Sequence, residues 1–217
     1  MYIKAPASPT KTAPASIYGR VGFPPRRRKN SDIRPREFLT EPEINKLMDV
    51  ARRHNRWGHR DATAVLVAFS HGLRPVELCG LEWGQIDFRQ GSILIHRAKN
   101  GIPSTHYLSG KTLRALRQLQ RENHGRYGPG RYIFLSERGG TPVTTAWFRK
   151  MFADLGVMAK MPWSIHPHQL RHSCATKYAN LGKDTRSLQG FLGHRNIQSS
   201  VVYCSLAPNR FQGWEKE

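Results

Sequence analysis

Six side chains in this sequence have the types and spacing to break a phosphodiester bond. His168 and Arg171 stand three apart in a His-Gln-Leu-Arg-His run, His194 ends a Leu-Gly-His run, and Tyr203 follows nine residues later. Upstream, Arg74 follows Gly72-Leu73, and Lys99 opens a Lys-Asn-Gly turn. A phenol ionises near pH 10, so as a nucleophile at neutral pH it needs a base or cationic neighbours. Guanidinium groups grip non-bridging oxygens in a planar fork. An imidazole, or a lysine with a lowered pKa, can move the protons. Together these groups suit attack on a phosphodiester without a metal, and on so basic a chain that points to DNA strand breakage and rejoining.

The reading rests on the ordered set, since a lone His-x-x-Arg pair is expected about once by chance in such a chain, and His71 to Arg74 is a second example. Arg171 is expected on a helix that begins near Pro167, facing the same cleft as His168 one turn earlier. Arg74 falls at a helix start, where free backbone N–H groups already favour an anion. Glu77, one turn on, either fixes that arginine or acts as a first-turn acid. Lys99 at a hairpin tip has the reach to protonate a leaving 5′ oxygen, although such lysines are commonly just solvated. His172 reads as a packing or hydrogen-bonding residue, and His166, before Pro167, as a loop residue. His168 and His172, tested with His194 as metal ligands, are four apart like two ligands of a zinc protease, but Gln169 replaces that motif's glutamate and no third carboxylate ligand follows at a sensible spacing, so no metal is expected. For Tyr203, Val201 and Val202 are expected to bury one side of its helix and turn the ring towards the arginines. Tyr107, Tyr132 and Tyr178 lack an upstream glycine-histidine marker.

The elements that must carry these residues read as mainly α with a small antiparallel β-sheet, an α+β chain. Thr40-Glu41-Pro42-Glu43 is a capping box, followed by Ile44, Leu47, Met48 and Ala51 at helical spacing. Asp61 can cap a second helix, 62–70, ended by His71-Gly72-Leu73. Arg74-Pro75 restarts a short helix to Leu78. Trp83, Ile86 and Phe88 alternate like a strand, 92–97 is a second and 104–108 a third, with Asn100-Gly101 as a primed hairpin turn. Ser109 begins a helix with Leu113, Leu116 and Leu119 on one face. Residues 132–135 form a short strand or extended link, and Gly139-Gly140 a turn. Thr144 and Thr145 cap a helix burying Trp147, Phe148, Met151 and Phe152. Helices over 168–180, 185–192 and 197–205 complete the chain.

The chain has 217 residues and a formal charge of +20, a surplus that calls for a polyanionic partner, because each neutralised phosphate releases condensed counterions. Residues 1–35 hold six of the 14 prolines and eight Lys/Arg against one Asp, and read as a basic, Pro-rich flexible arm. Arg26, Arg27, Arg28 and Lys29 are its densest run and the expected DNA-backbone contacts. The cysteines, 79, 174 and 204, have neither zinc nor disulfide-framework spacing, which favours a reducing compartment. No secretory signal and no apolar stretch near twenty residues stand out.

The ordered set resembles the tyrosine recombinase (phage integrase) family. Gly72-Leu73-Arg74-Pro75-Val76-Glu77-Leu78 is similar to that family's Gly-Leu-Arg-x-x-Glu-Leu motif, Lys99 to its hairpin lysine, His168 to His172 to its His-x-Leu-Arg-His box, and Leu192-Gly193-His194 with Tyr203 to its final motif. The likeness runs over roughly residues 38–210, and His194-Arg195-Asn196-Ile197 with the compact length is most like the short members that invert fimbrial promoter switches. The resemblance implies a catalytic domain over 36–205. It implies that Tyr203 attacks the scissile phosphate to form a 3′-phosphotyrosyl link, while Arg74, Arg171 and His194 hold the non-bridging oxygens. Lys99 would protonate the 5′ hydroxyl, and His168 would take the tyrosine proton or orient the phenol. Glu77 and His172 are expected to support this set. No cofactor is implied, since the covalent link keeps the phosphodiester's energy.

The partners implied are double-stranded DNA and further copies of the chain, as a dimer or tetramer on DNA. A cytoplasmic, nucleoid-associated location follows, with no membrane contact. Residues 206–217, with Phe211 and Trp214, would dock in cis or on a neighbouring protomer. Family members carry a helical domain before the catalytic one; the 35 residues before the fold are too few for it, and the arm is expected to replace part of its grip. Two other readings stand beside it: a non-catalytic DNA-binding regulator that keeps the fold, and a type IB topoisomerase-like relaxing enzyme that shares the chemistry. Neither the target sequence nor the outcome (integration, excision or inversion) is encoded in these residues.

Overall fold

A computed structural model describes residues 36–137 and 140–205. The arm, the tail and Gly139 of the expected turn lie outside them. The first helix, α1 (Glu41–His54), opens where Glu43 accepts the Thr40 N–H at 2.8 Å, and it buries Ile44, Leu47, Met48 and Ala51. The next, α2 (Gly58–His71), starts four residues before the expected Ala62. Its crossing with α1 is so close that a Cβ on Gly58 would lie 2.4 Å from the Ala51 carbonyl oxygen. Asp61 is therefore inside the first turn, where its carboxylate accepts from buried Arg60 at 2.8 Å instead of capping the helix. Gly72 ends α2 in the left-handed region, φ +58°, which a residue without a Cβ adopts at little cost.

Arg74 then stands at the N-terminus of α3 (Pro75–Cys79), whose first proline has the φ a helix start needs. Trp83 belongs to a 3₁₀ turn (Trp83–Gln85), since Gln85 turns back to accept the Glu82 N–H; the strand expected around it shrinks to β1 (Ile86–Asp87). This strand pairs with β2 (Ser92–Ile95), which pairs with β3 (Ser104–Tyr107), in an antiparallel sheet ordered β1-β2-β3. Ile93 faces His106 and Ile95 faces Ser104. The positive-φ pair in the turn between β2 and β3 is Lys99-Asn100, both at φ +57°, one residue earlier than the expected Asn100-Gly101, because the turn closes with the Gly101 N–H donating to the Ala98 carbonyl at 3.2 Å.

The other helices are α4 (Gly110–Tyr127), capped by Ser109, and α5 (Thr145–Met158), capped by Thr144. After them come α6 (His168–Asn180), α7 (Thr185–Leu192) and α8 (Gln198–Ser205). Trp147 of α5 is only half-buried, with the Arg60 guanidinium over its ring at 4.7 Å. The nearly all-buried α2 runs through the centre, packed by α1, α4 and α6. Phe134, Phe148, Phe152 and Leu170 fill the main core. A smaller apolar cluster of Ala175, Ala179, Leu188 and Leu192 carries Tyr203 and Cys204 of α8. Among the described residues no helix is long and apolar enough to cross a membrane.

Candidate active site

Two helix ends meet at this site. The C-terminus of α2 and that of α7 both finish on left-handed glycines, Gly72 and Gly193, and a Cβ on Gly72 would lie 2.7 Å from the Leu192 side chain. Their unpaired carbonyls attract cations. Arg171, on α6, spans the junction: its two amino groups donate to Gly72 O at 2.6 Å and Leu192 O at 2.7 Å. A guanidinium has five N–H donors, so these anchors leave donors over for an anion. Burial, then the charges of Arg74 and Arg97, lower the Arg171 pKa to about 10, and the group is cationic at neutral pH.

Arg74 is held by Glu77 as the spacing suggested. One guanidinium nitrogen donates to Glu77 Oε1 at 2.7 Å and the Arg74 backbone N–H to Oε2 at 2.9 Å. With a side chain 20% exposed, Arg74 keeps a face towards solvent. Burial alone would raise the Glu77 pKa, but the Arg74 and Ala98 N–H bonds and the Arg97 charge outweigh it and hold the carboxyl below its usual range.

His168 stands exposed at the start of α6, and His194 follows the Gly193 cap with Nδ1 2.8 Å from Ser200 Oγ. Burial, then the charges of Arg171, Arg74 and Arg97, push His194 down to about 4. Burial and then Arg171, Arg74, Arg149 and Lys99 lower His168 as well. Arg74, Lys99, His168, Arg171 and His194, drawn from four separate segments, thus act on one another's charges. Arg149 of α5 was not among the sequence candidates.

At Tyr203 the hydrogen-bonding partner is His172: Nδ1 lies 2.7 Å from the phenol oxygen, whereas the sequence reading put His168 in that place. Both histidines fit the spacing, since a residue four further along α6 shares the face of His168. Burial raises the phenol's pKa, with Arg171 pulling the other way. Val201 and Val202 do not bury the helix flank as expected; they are 36% and 55% exposed, and α8 docks through fully buried Ser200 and half-buried Tyr203 and Cys204.

Arg97 escaped the sequence reading. Its side chain is 0% exposed, and it donates to Glu77 Oε2 at 3.0 Å and to the carbonyl of His71 at 3.2 Å. The alternation of inward Ile93 and Ile95 along β2 extends to position 97 and could have flagged it. Among the described residues, no group of three or more His, Cys, Asp or Glu is placed to hold a metal ion. Arg26 to Lys29 lie outside the described residues.

The phage integrase family model matches residues 37–210. Type 1 fimbriae regulatory protein FimB of Escherichia coli (strain K12) is 37% identical over 193 residues, 87% of this chain and 94% of that protein. The solved XerA recombinase is similar with a TM-score of 0.70 and 25% identity over 82% of this chain, which spans 64% of it. The Tn1549 transposon integrase, solved with transposon right end DNA, has a TM-score of 0.67 at 22% identity over 76% of this chain and 60% of that one, a likeness of fold alone. Sequence order, site and fold agree: this chain belongs to the phage integrase family.

Proposed function

We propose that the chain is a site-specific DNA recombinase that cuts and rejoins strands through a 3′-phosphotyrosyl intermediate. The observation that carries this is the position of the Tyr203 phenol, 2.7 Å from an imidazole nitrogen and within the field of Arg171. The phenol oxygen attacks the scissile phosphorus, and its proton passes to His172. The bond from phosphorus to the 5′ oxygen breaks as Lys99 gives that oxygen a proton. Arg74, Arg171 and His194 take the charge that builds on the non-bridging oxygens. His168, exposed at the rim, orients the phosphate. DNA arriving among these cations also favours the phenolate that the free protein disfavours.

The substrate in this reading is double-stranded DNA, bound by two or more copies of the chain, which places the protein with the nucleoid in the cytoplasm. Residues 36–205 make the catalytic domain, 1–35 grip the backbone, and 206–217 dock on the same or a neighbouring protomer. Nicked suicide duplexes drawn from DNA flanking the gene should trap a covalent protein–DNA adduct at one sequence. Tyr203→Phe should bind the same duplex and form none. An adduct that survives Tyr203→Phe, or none with the parent chain on any such duplex, would end the proposal. Relaxation of supercoiled plasmid at no fixed sequence would favour the topoisomerase reading instead.

A further inference from the structure

The hairpin that carries Lys99 is fastened from beneath by groups that the chemistry above leaves out. Arg97 leaves β2 two residues before Lys99 and points inward. Its guanidinium donates to the carbonyls of His71 at the end of α2 and of Phe191 at the end of α7, as well as to Glu77. Two helix C-termini, each with surplus carbonyls, are thereby closed by one buried cation. From β3, His106 supports the same seam. Its Nε2 lies 2.8 Å from Ser104 Oγ and 3.5 Å from the Arg97 amino group, and its ring stacks on Phe191 at 3.9 Å.

The fit at the seam is close. A Cβ on Gly101 would lie 2.7 Å from Arg97 Cβ and 2.8 Å from the Gly193 carbonyl. A Cβ on Gly193 would lie 2.5 Å from Arg97 Cγ and 2.8 Å from the Ile102 carbonyl. The hairpin tip thus rests directly on the turn that leads into His194.

We propose that Arg97 is a positioning residue which clamps the Lys99 hairpin onto the ends of α2 and α7 and so sets the lysine at the leaving oxygen. Arg74 has its own two bonds to Glu77, and Arg171 its own bonds to Gly72 and Leu192. Loss of Arg97 therefore falls on the hairpin more than on the phosphate-holding arginines. A lysine at this position keeps the charge beside Glu77 but lacks the fork that reaches two helix ends. The inference rests on the reading of Lys99 as the proton donor.

The test compares single-turnover cleavage of a duplex with an ordinary 5′ oxygen against one with a bridging 5′ sulfur at the scissile position. A thiolate leaves without a proton, so a defect in proton donation vanishes on the sulfur duplex. Arg97→Lys should cut the oxygen duplex ~10-fold or more slowly, a partial loss of the roughly 10²–10⁴-fold that a general acid contributes, and the sulfur duplex within ~3-fold of the parent, as Lys99→Ala does. Gly101→Ala, whose Cβ would press on both Arg97 Cβ and the Gly193 carbonyl and so lift the hairpin with every charged group retained, should repeat the pattern, with DNA affinity retained in both variants. An unchanged rate on oxygen, or equal losses on both duplexes in both variants, overturns the proposal. If Lys99→Ala is rescued by sulfur and neither hairpin variant is, only the Arg97 assignment falls. If Lys99→Ala is not rescued, the proton-donor reading falls and takes the clamp with it.

Discussion

Replacing Glu77 with glutamine removes one charge from the point where three parts of the site are tied together. The carboxylate accepts from the Arg74 guanidinium and backbone N–H, from Arg97 and from the Ala98 N–H. The Glu77 side chain is 2% exposed and that of Arg97 is 0% exposed. Arg74 can turn to water; Arg97 cannot. Breaking a buried pair from one side costs about 3–5 kcal/mol, because the remaining charge is left uncompensated. For a chain of this size, about 2–4 °C of Tm accompanies each kcal/mol, so Glu77→Gln should melt ~6–20 °C below the parent. The pH dependence gives a second handle. The folded pKa of Glu77 lies below its ordinary value of 4.5, so the ionised group contributes fully above pH 4.5 and the contribution is lost as pH falls through the folded pKa. Urea denaturation of both proteins, followed by circular dichroism from pH 7 to 3, should show a wide gap at neutral pH that narrows only below about 4.5. A gap under ~1 kcal/mol at pH 7, or one constant down to pH 3, would refute the argument that this carboxylate neutralises Arg97.

Further outcomes follow from the same geometry. His71 and His194, held down to about 3 and about 4 chiefly by burial, should show no NMR titration between pH 8 and 5.5; a midpoint near 6.5 for either ring contradicts the packing described. Since the unfolded chain takes these protons first, stability should be full above pH 6.5 and decline as the solution is acidified, which urea midpoints will register. Gly193→Ala places a Cβ at φ +64° and 2.5 Å from Arg97 Cγ; it should lower stability by about 1–3 kcal/mol and slow cleavage, and a variant as stable and active as the parent would count against the docked hairpin. Deleting residues 1–30, with seven Lys/Arg and no acid, should weaken DNA binding and reduce the log–log salt slope by up to ~6; unchanged salt dependence removes the arm from the interface.

Local chemistry along the chain settled where most elements begin and end. Thr40, Ser109 and Thr144 mark helix starts, Gly72 a helix end, and Lys99-Asn100-Gly101 a turn, though one residue out of the expected register, because capping and turn formation need only neighbours a few residues away. Residue order likewise singled out Arg74, Lys99, Arg171, His194 and Tyr203 as candidates, since the chemistry proposed for them resides in the side chain itself. Only the tertiary fold decided which groups touch. The bond from Tyr203 to His172 crosses 31 positions, and it depends on which face α8 lays down; Val201 and Val202 look apolar enough to choose that face, yet Ser200 does. Arg97 reads as one more cation among 35 Lys and Arg until two helix ends close over it. Burial then makes its charge and its fork count, because a cation removed from water must find its partners within the fold.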